Sequence, residues 1–169
     1  LEKVDGVFQG ACALFYEGNE LKLGNNRVAF SPDQKTLYVG QTSRGWGPPA
    51  EGIQRIGFTG KTPFDIRAMT LTKNGFLEVT KALPDSDPAT KDFALQRYRY
   101  QDSGLYGGDP LDVSEIGIEK IVRIDEKTLE LQIATLEAGG WVYELNVDSL
   151  ADRDGAKLRT ARFCYTVNR

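Results

Sequence analysis

Two stretches of the sequence, TLELQI at residues 128–133 and WVYELNV at residues 141–147, carry the clearest structural signal in the chain. In both, apolar side chains occupy the odd-numbered positions. This period-two alternation predicts β-strands with one face in a hydrophobic core and the other face in water. The segment LEAGG at 136–140 separates the two strands. Its glycines favour a tight reversal with positive φ.

The rest of the chain has the same rhythm of short apolar segments separated by glycine, proline, asparagine and aspartate, which is typical of an all-β protein. Further strands are predicted at residues 8–16, 26–30, 36–41, 52–58, 65–72, 75–81, 93–101, 117–124 and 163–167. The last of these places Phe163, Tyr165 and Val167 on one face and Cys164 on the other. One short helical turn is predicted within 87–93, with Asp87 as its N-cap.

The predicted strands fall into two groups, which suggests two domains. The four short strands between residues 8 and 58 have the size of one propeller blade. The later strands predict an antiparallel Ig-like β-sandwich, and the segment GKTP at 60–63 is the expected boundary. We therefore expect a blade-like sheet at 1–62 followed by a sandwich at 63–169. Because a lone blade exposes its faces and edges, it should pack on neighbouring blades of a parent protein or on the sandwich.

Composition excludes several classes of function. The chain has 169 residues, 24 acidic and 21 basic residues, a net charge of −3 and no histidine. Ser-His-Asp catalysis, Cys-His catalysis and histidine metal sites are therefore closed to this chain alone. The scattered lysines and arginines argue against nucleic acid as a partner. No apolar run approaches the length of a membrane span, so no span is expected.

Aspartates cluster at 85–87, 109–112 and 152–155, but these clusters lack a complete calcium-loop pattern. We interpret them as Asx turns. No metal site, no cofactor and no catalytic residue is expected within this chain.

The two cysteines, Cys12 and Cys164, lie near opposite ends of the sequence. In an exported protein a disulfide between them would join the two ends; the alternative is a pair of unpaired thiols. Leu1 is not preceded by methionine or a signal peptide, and the start is interpreted as a cut within a longer protein.

Two aromatic residues in predicted loops are candidate ligand contacts. Trp46 lies between glycines, where an exposed indole would form a platform for a sugar ring. The alternative places Trp46 in an interface between the two domains. Tyr106 lies at the tip of the long irregular loop 102–110. Trp141, by contrast, begins a strand in its inward register and is expected in the core.

The segment RYRY at 97–100 alternates charge with aromatic rings along a predicted strand. Arg97 and Arg99 could hold a carboxylate or stack on a ligand. The structural alternative places the tyrosines on one face and the arginine stems over the other.

The first group of strands resembles a known family. The similarity is carried by NRVAFSPD (26–33), LYVGQT (37–42), RGWG (44–47), GIQRI (52–56) and the exit segment FTGKTPF (58–64). These segments resemble the last blade of glucose/sorbosone dehydrogenase-like β-propellers, which occur in large secreted bacterial proteins, often beside c-type cytochrome domains. The later part is similar to bacterial Ig-like, fibronectin-III-like domains through residues 75–80, 125–131, 143–147, 150–155 and 165–168.

The resemblance implies a periplasmic or extracellular location and other domains of a parent chain as partners. Active members of the family use a quinone cofactor held by several blades, with histidine and arginine at the centre. This chain offers at most one blade and no histidine, so no active-site residue carries over. We expect a non-catalytic structural or interaction module of a larger exported sugar-dehydrogenase-like protein. Two alternatives are a carbohydrate-binding module that binds glycans and a fragment of a quinone-dependent sugar dehydrogenase.

Overall fold

The computed structural model of the protein describes residues 1–16, 18–22, 24–42, 51–71, 74–104, 107–147 and 149–169. Over these residues the chain is all-β, which confirms the predicted fold class. It divides into two compact units. The first unit combines Leu1–Phe15 with Pro63–Arg169, and the second comprises Tyr16–Thr62.

Thirteen strands make up the described chain. They are β1 (Glu2–Val4), β2 (Val7–Ala13), β3 (Asn25–Phe30), β4 (Thr36–Gln41), β5 (Gly52–Gly57), β6 (Ile66–Leu71), β7 (Gly75–Val79), β8 (Phe93–Arg99), β9 (Leu111–Ile116), β10 (Ile118–Arg123), β11 (Thr128–Ile133), β12 (Trp141–Val147) and β13 (Arg162–Val167). A single 3₁₀ turn at Thr90–Asp92 is the one helical element among the described residues.

The first unit is an antiparallel β-sandwich. One sheet has six strands in the order β1-β2-β13-β12-β8-β9, and the other has four in the order β10-β11-β7-β6. Their inner faces supply one hydrophobic core. Its most deeply buried side chains are Tyr143, Tyr165, Leu71, Leu77, Leu83, Leu129, Leu145, Val79, Val147 and Val167.

The central strands follow the predicted alternation. The odd positions of β11 and of β13 are buried, as are Tyr143, Leu145 and Val147 in β12. Within the six-stranded sheet, Leu145 lies opposite Leu95 on one side and Phe163 on the other. Pairing with two neighbours therefore places the middle of β12 at the centre of the core.

The connection between β11 and β12 differs from the predicted reversal. Gly139 and Gly140 do have positive φ, at 102° and 86°. However, β11 pairs with β10 and β7, whereas β12 pairs with β13 and β8. The segment at 136–140 therefore carries the chain from one sheet to the other and does not close a hairpin.

The N-terminal strands also differ from the expected division at 1–62 and 63–169. The strand predicted at 8–16 is observed as β2, and it pairs with β13 rather than with β3 or β4. Leu1–Phe15 thus belongs to the sandwich unit, and the second unit ends at Thr62. Pairing of distant segments explains the difference, because strand alternation does not identify a strand's partner.

The second unit contains the three-stranded antiparallel sheet β3-β4-β5. Four strands were expected here, but the fourth is β2 of the other unit. Leu37 and Val39 are the buried hydrophobic residues of this sheet. The turn between β3 and β4 contains an Asx turn, in which the Asp33 carboxylate accepts hydrogen bonds from the Ser31 hydroxyl (2.6 Å) and the Lys35 N–H (3.1 Å).

Substitution of Gly24 tests the backbone conformation described for the second unit. Its φ is +73°, and an added Cβ would lie 1.8 Å from the Thr42 carbonyl oxygen. We expect Gly24→Ala to destabilise this unit by about 1–3 kcal/mol, since the backbone must leave a conformation that alanine disfavours. Faster amide exchange in β4 and β5 measures the effect. Gly57→Ala is the matched control, because its Cβ would meet no atom within 4 Å; equal exchange in the two variants would contradict the prediction.

The predicted helical turn begins later than expected. It starts after Ala89, whose N–H donates to the Asp92 carboxylate (3.1 Å). Asp87 is not its cap; the Asp87 carboxylate instead pairs with Arg123 at 2.9 Å. Among the described residues, no helix has the length and apolar character needed to cross a membrane.

Candidate functional site

The three-stranded sheet of the second unit has two edge strands, β3 and β5, and β3 is the more exposed of the two. Within the described residues β3 pairs only with β4, and all six residues of β3 are exposed. Val28 is 67% exposed and Phe30 is 59% exposed. We call residues Asn25–Phe30 the β3 edge.

The β3 edge lies at the margin of an apolar sheet face. Val28 is opposite the buried Val39, and Phe30 is opposite the buried Leu37. Directly opposite residues share a face of a sheet, so the apolar surface continues from the buried side chains of β4 to the exposed ones of β3. Soluble proteins usually protect edge strands with charge, proline or a covering segment, because unpaired backbone groups recruit other strands. Arg27 is the one charged residue in β3.

The opposite face of this sheet also exposes apolar side chains. Tyr38 and Ile53 are both exposed there, and Tyr38 lies opposite Arg55. This sheet therefore exposes apolar side chains on both of its faces.

In the sandwich unit, the guanidinium groups of Arg97 and Arg99 both lie against the ring of Trp141. The guanidinium carbon of Arg97 is 4.4 Å from the centre of the Trp141 ring, and that of Arg99 is 5.5 Å from it. Arg97 also forms an ion pair with Glu137 at 2.7 Å, which raises the pKa of Arg97. The two distances to the Trp141 ring are those of cation–π contacts.

The two arginines also form hydrogen bonds with other side chains of the protein. Arg97 Nε donates to the Ser114 hydroxyl (3.3 Å), and Arg99 Nε donates to Asp112 at 2.5 Å. Trp141 packs against the core, as expected, but is only half-buried. The role of Arg97 and Arg99 in ligand binding stays a prediction, and the observed arrangement is that of the structural alternative.

The other face of β8 carries the tyrosines. Tyr98 is buried and Tyr100 is exposed, and their rings form a T-shaped pair with centres 5.4 Å apart. The strand therefore separates arginines from tyrosines as its alternation predicts.

A buried carboxylate, Glu144, lies on the outer face of the six-stranded sheet. Glu144 is only 5% exposed. Strand alternation predicts instead that side chains on this face are in contact with water. Oε2 accepts hydrogen bonds from Arg162 Nη2 (2.6 Å) and the Tyr98 hydroxyl (3.2 Å). Oε1 accepts from Gln96 Nε2 (3.2 Å) and Asn146 Nδ2 (3.3 Å). We call Glu144 and these four partners the Glu144 cluster.

The cluster keeps Glu144 ionised. Burial raises the pKa of Glu144, but the hydrogen bonds from Arg162 and Asn146 outweigh it and hold the pKa below its usual value. Burial and the neighbouring Cys164 thiol raise the pKa of Tyr98, so its hydroxyl remains a donor. Every strong contact of Glu144 is thus with a group that stabilises the carboxylate, an arrangement suited to fixing strands rather than to accepting a proton.

An open groove of about 460 Å³ lies beside this cluster, and Gln96, Asn146, Glu115 and Lys91 are among its lining residues. Gln96 and Asn146 belong to both features. Their side-chain amides donate hydrogen bonds to Glu144. The charged residues that line the groove are Glu115 and Lys91.

The register of the six-stranded sheet brings the two cysteines together. Cys12 in β2 lies directly opposite Cys164 in β13. Both are free thiols; Cys12 is exposed and Cys164 is half-buried. The Cys164 Sγ is 3.9 Å from Glu144 Oε2 and 3.8 Å from the Tyr98 hydroxyl oxygen.

The acidic loops are engaged by backbone groups and arginines. Asp152 accepts hydrogen bonds from the N–H groups of Asp154 (3.0 Å) and Ala156 (2.8 Å), as in an Asx turn. In the first loop, Asp85 pairs with Arg153 at 3.3 Å. Across the described ranges, no group of three or more His, Cys, Asp or Glu residues is arranged to hold a metal ion.

Trp46 and Tyr106, the two predicted aromatic contacts, lie outside the described residues. Their ligand-binding roles stay predictions. The β3 edge and the Glu144 cluster were not among the predicted sites. The first had a signal in the apolar residues of 26–30, and the second had one in a glutamate placed within the strand WVYELNV.

No protein-family model, curated protein or solved structure matches this chain.

Proposed function

We propose that this chain is a non-catalytic structural and interaction module of a larger, exported, sugar-dehydrogenase-like protein. In this proposal the second unit docks through the β3 edge onto another β-sheet of the same parent chain. The single observation that carries the proposal is that β3, within the described residues, pairs on one side only and exposes Val28 and Phe30.

The chemistry of the edge favours a β-sheet as the partner. An edge strand offers alternating N–H and C=O groups, which a second strand satisfies by addition to the sheet. The side chains of Val28 and Phe30 would then pack beside those of the added strand, which would remove part of their exposed apolar surface from water. Backbone hydrogen bonds would hold the added strand, and contacts with the side chains of Val28 and Phe30 would fix its register.

The family resemblance supports the rest of the proposal. A propeller blade packs against neighbouring blades, so a small sheet resembling a last blade would find its partner in the preceding part of the parent chain. An exported location follows from the same resemblance. The sandwich unit would serve as a spacer or as support for neighbouring domains.

Hydrogen–deuterium exchange can test the docking. The exchange of β3 is compared between the 169-residue chain and the complete protein encoded by the same gene. We expect the β3 amides that do not bond to β4 to exchange at least about tenfold more slowly in the complete protein, because a new strand would protect them. Equal exchange in the two proteins would exclude the proposal.

Charge substitutions provide the specificity control. Val28→Lys and Phe30→Lys should remove the added protection in the complete protein. Val113→Lys should leave it intact, because Val113 is a comparably exposed residue (55%) on strand β9 of the other unit. Quenching of tryptophan fluorescence by an oligosaccharide, lost in Trp46→Ala, would instead favour the carbohydrate-binding alternative.

A further inference from the structure

Cys12 and Cys164 occupy directly opposite positions on the neighbouring antiparallel strands β2 and β13. Opposite residues in such a ladder have Cα atoms about 4.5–5.5 Å apart. Disulfides span Cα separations of about 4.4–6.8 Å. The two side chains also project from the same face of the sheet, since directly opposite residues do.

The surroundings of the two thiols differ in a way that suits ordered oxidation. Cys12 is exposed, so it can react with a soluble oxidant. Cys164 is half-buried, and its Sγ lies near Glu144 Oε2 and the Tyr98 hydroxyl. The exposed thiol is therefore the one that meets the oxidant first, and the covered thiol is the one that completes the bond.

We propose that Cys12 and Cys164 are a redox site that forms a cross-strand disulfide by exchange with a small-molecule disulfide such as oxidised glutathione. The Cys12 thiolate attacks the glutathione disulfide, forms a mixed disulfide and releases one glutathione. The Cys164 thiolate then attacks the Cys12 sulfur and releases the second glutathione. The two protein thiols lose two protons and two electrons, and one glutathione disulfide becomes two glutathione molecules.

The bond would join β2 to β13 and close most of the chain, including the second unit, into one loop. A disulfide stabilises mainly by restricting the unfolded chain, and its effect grows with the length of the loop. For a loop of about 150 residues we expect the melting temperature to rise by roughly 5–15 °C on oxidation. Reduction would return β2 to a strand held only by backbone pairing and side-chain contacts.

The test is oxidation of the folded chain in a glutathione redox buffer. Peptide mapping should find Cys12 linked to Cys164, a monomeric mass lower by two hydrogen atoms and no titratable thiol. In urea, the same buffer should give at least about tenfold less of this product relative to the dithiol, because folding no longer holds the thiols opposite each other. Retention of both thiols in the folded chain, or dimers joined through Cys12, would overturn the proposal.

Single variants separate the steps. Cys164→Ser should stop at the glutathione adduct on Cys12, whereas Cys12→Ser should remain unmodified and show no oxidation-dependent change in melting temperature. An adduct at Cys164 in the Cys12→Ser protein would contradict the assigned order. The proposal is independent of docking, since neither cysteine lies in the β3 edge, and Cys12→Ser should leave β3 exchange in the complete protein unchanged.

Discussion

Truncation of Leu145 to alanine is expected to lower the free energy of unfolding of the sandwich unit by about 3–5 kcal/mol. Leu145 is fully buried and lies between Leu95 and Phe163 in the middle of the six-stranded sheet. Strands on both sides restrict collapse around the vacated space, so the cavity persists. Urea denaturation followed by circular dichroism measures the loss.

Leu111→Ala is the control for this substitution. Leu111 is an exposed leucine on the edge strand β9, and its truncation should cost less than about 1 kcal/mol. If the two variants lost similar stability, the position of β12 at the centre of the core would be wrong.

Replacement of Arg162 by methionine is expected to reverse the pH dependence that Glu144 contributes to stability. In the native protein the folded-state pKa of Glu144 is depressed, so its contribution is present above the unfolded pKa and is lost as pH falls through the folded pKa. Without Arg162, burial should dominate and raise the folded pKa. The contribution of Glu144 to stability would then be greatest below its unfolded pKa, near pH 4, and would be lost as pH rises through its raised folded-state pKa.

At neutral pH we expect this variant to lose about 2 kcal/mol, which is less than the cost of breaking a fully buried pair because the Arg162 side chain is 64% exposed. Unfolding free energies measured in urea between about pH 4 and pH 8 test both statements. Arg67→Met is the matched control, because the Arg67–Glu78 pair has a similar separation (2.6 Å) but both of its side chains are exposed. If the free energy of unfolding of the Arg162 variant had an unchanged pH slope, the folded-state pKa of Glu144 would not depend on this ion pair.

The strands were predictable where burial repeats every second residue. β4, β11 and β12 have the predicted bounds because their local pattern reflects one buried face. β1 has only three residues, too few for a period to show. β9 begins directly after the predicted loop 102–110, and its exposed Leu111 and Val113 do not mark a core face.

Strand partners and the Glu144 cluster were beyond the reach of local patterns. The pairing of β2 with β13 depends on residues that are far apart in the sequence. The burial of Glu144 likewise arises because Tyr98 and Arg162 from neighbouring strands cover it. Alternation indicates which face of a strand points outward, but not which side chains of other strands lie over that face.

The pairing of β2 with β13 also has a consequence for biosynthesis. A ribosome makes the chain from the N-terminus, so β2 can pair with β1 early but must wait until residues 162–167 emerge before its other native neighbour, β13, exists. The strands of Tyr16–Thr62, in contrast, have neighbours close by in sequence and can pair much earlier. During translation β1 and β2 would therefore remain open to chaperones and to incorrect strand pairing, and docking of β2 would be a late step in the maturation of the sandwich.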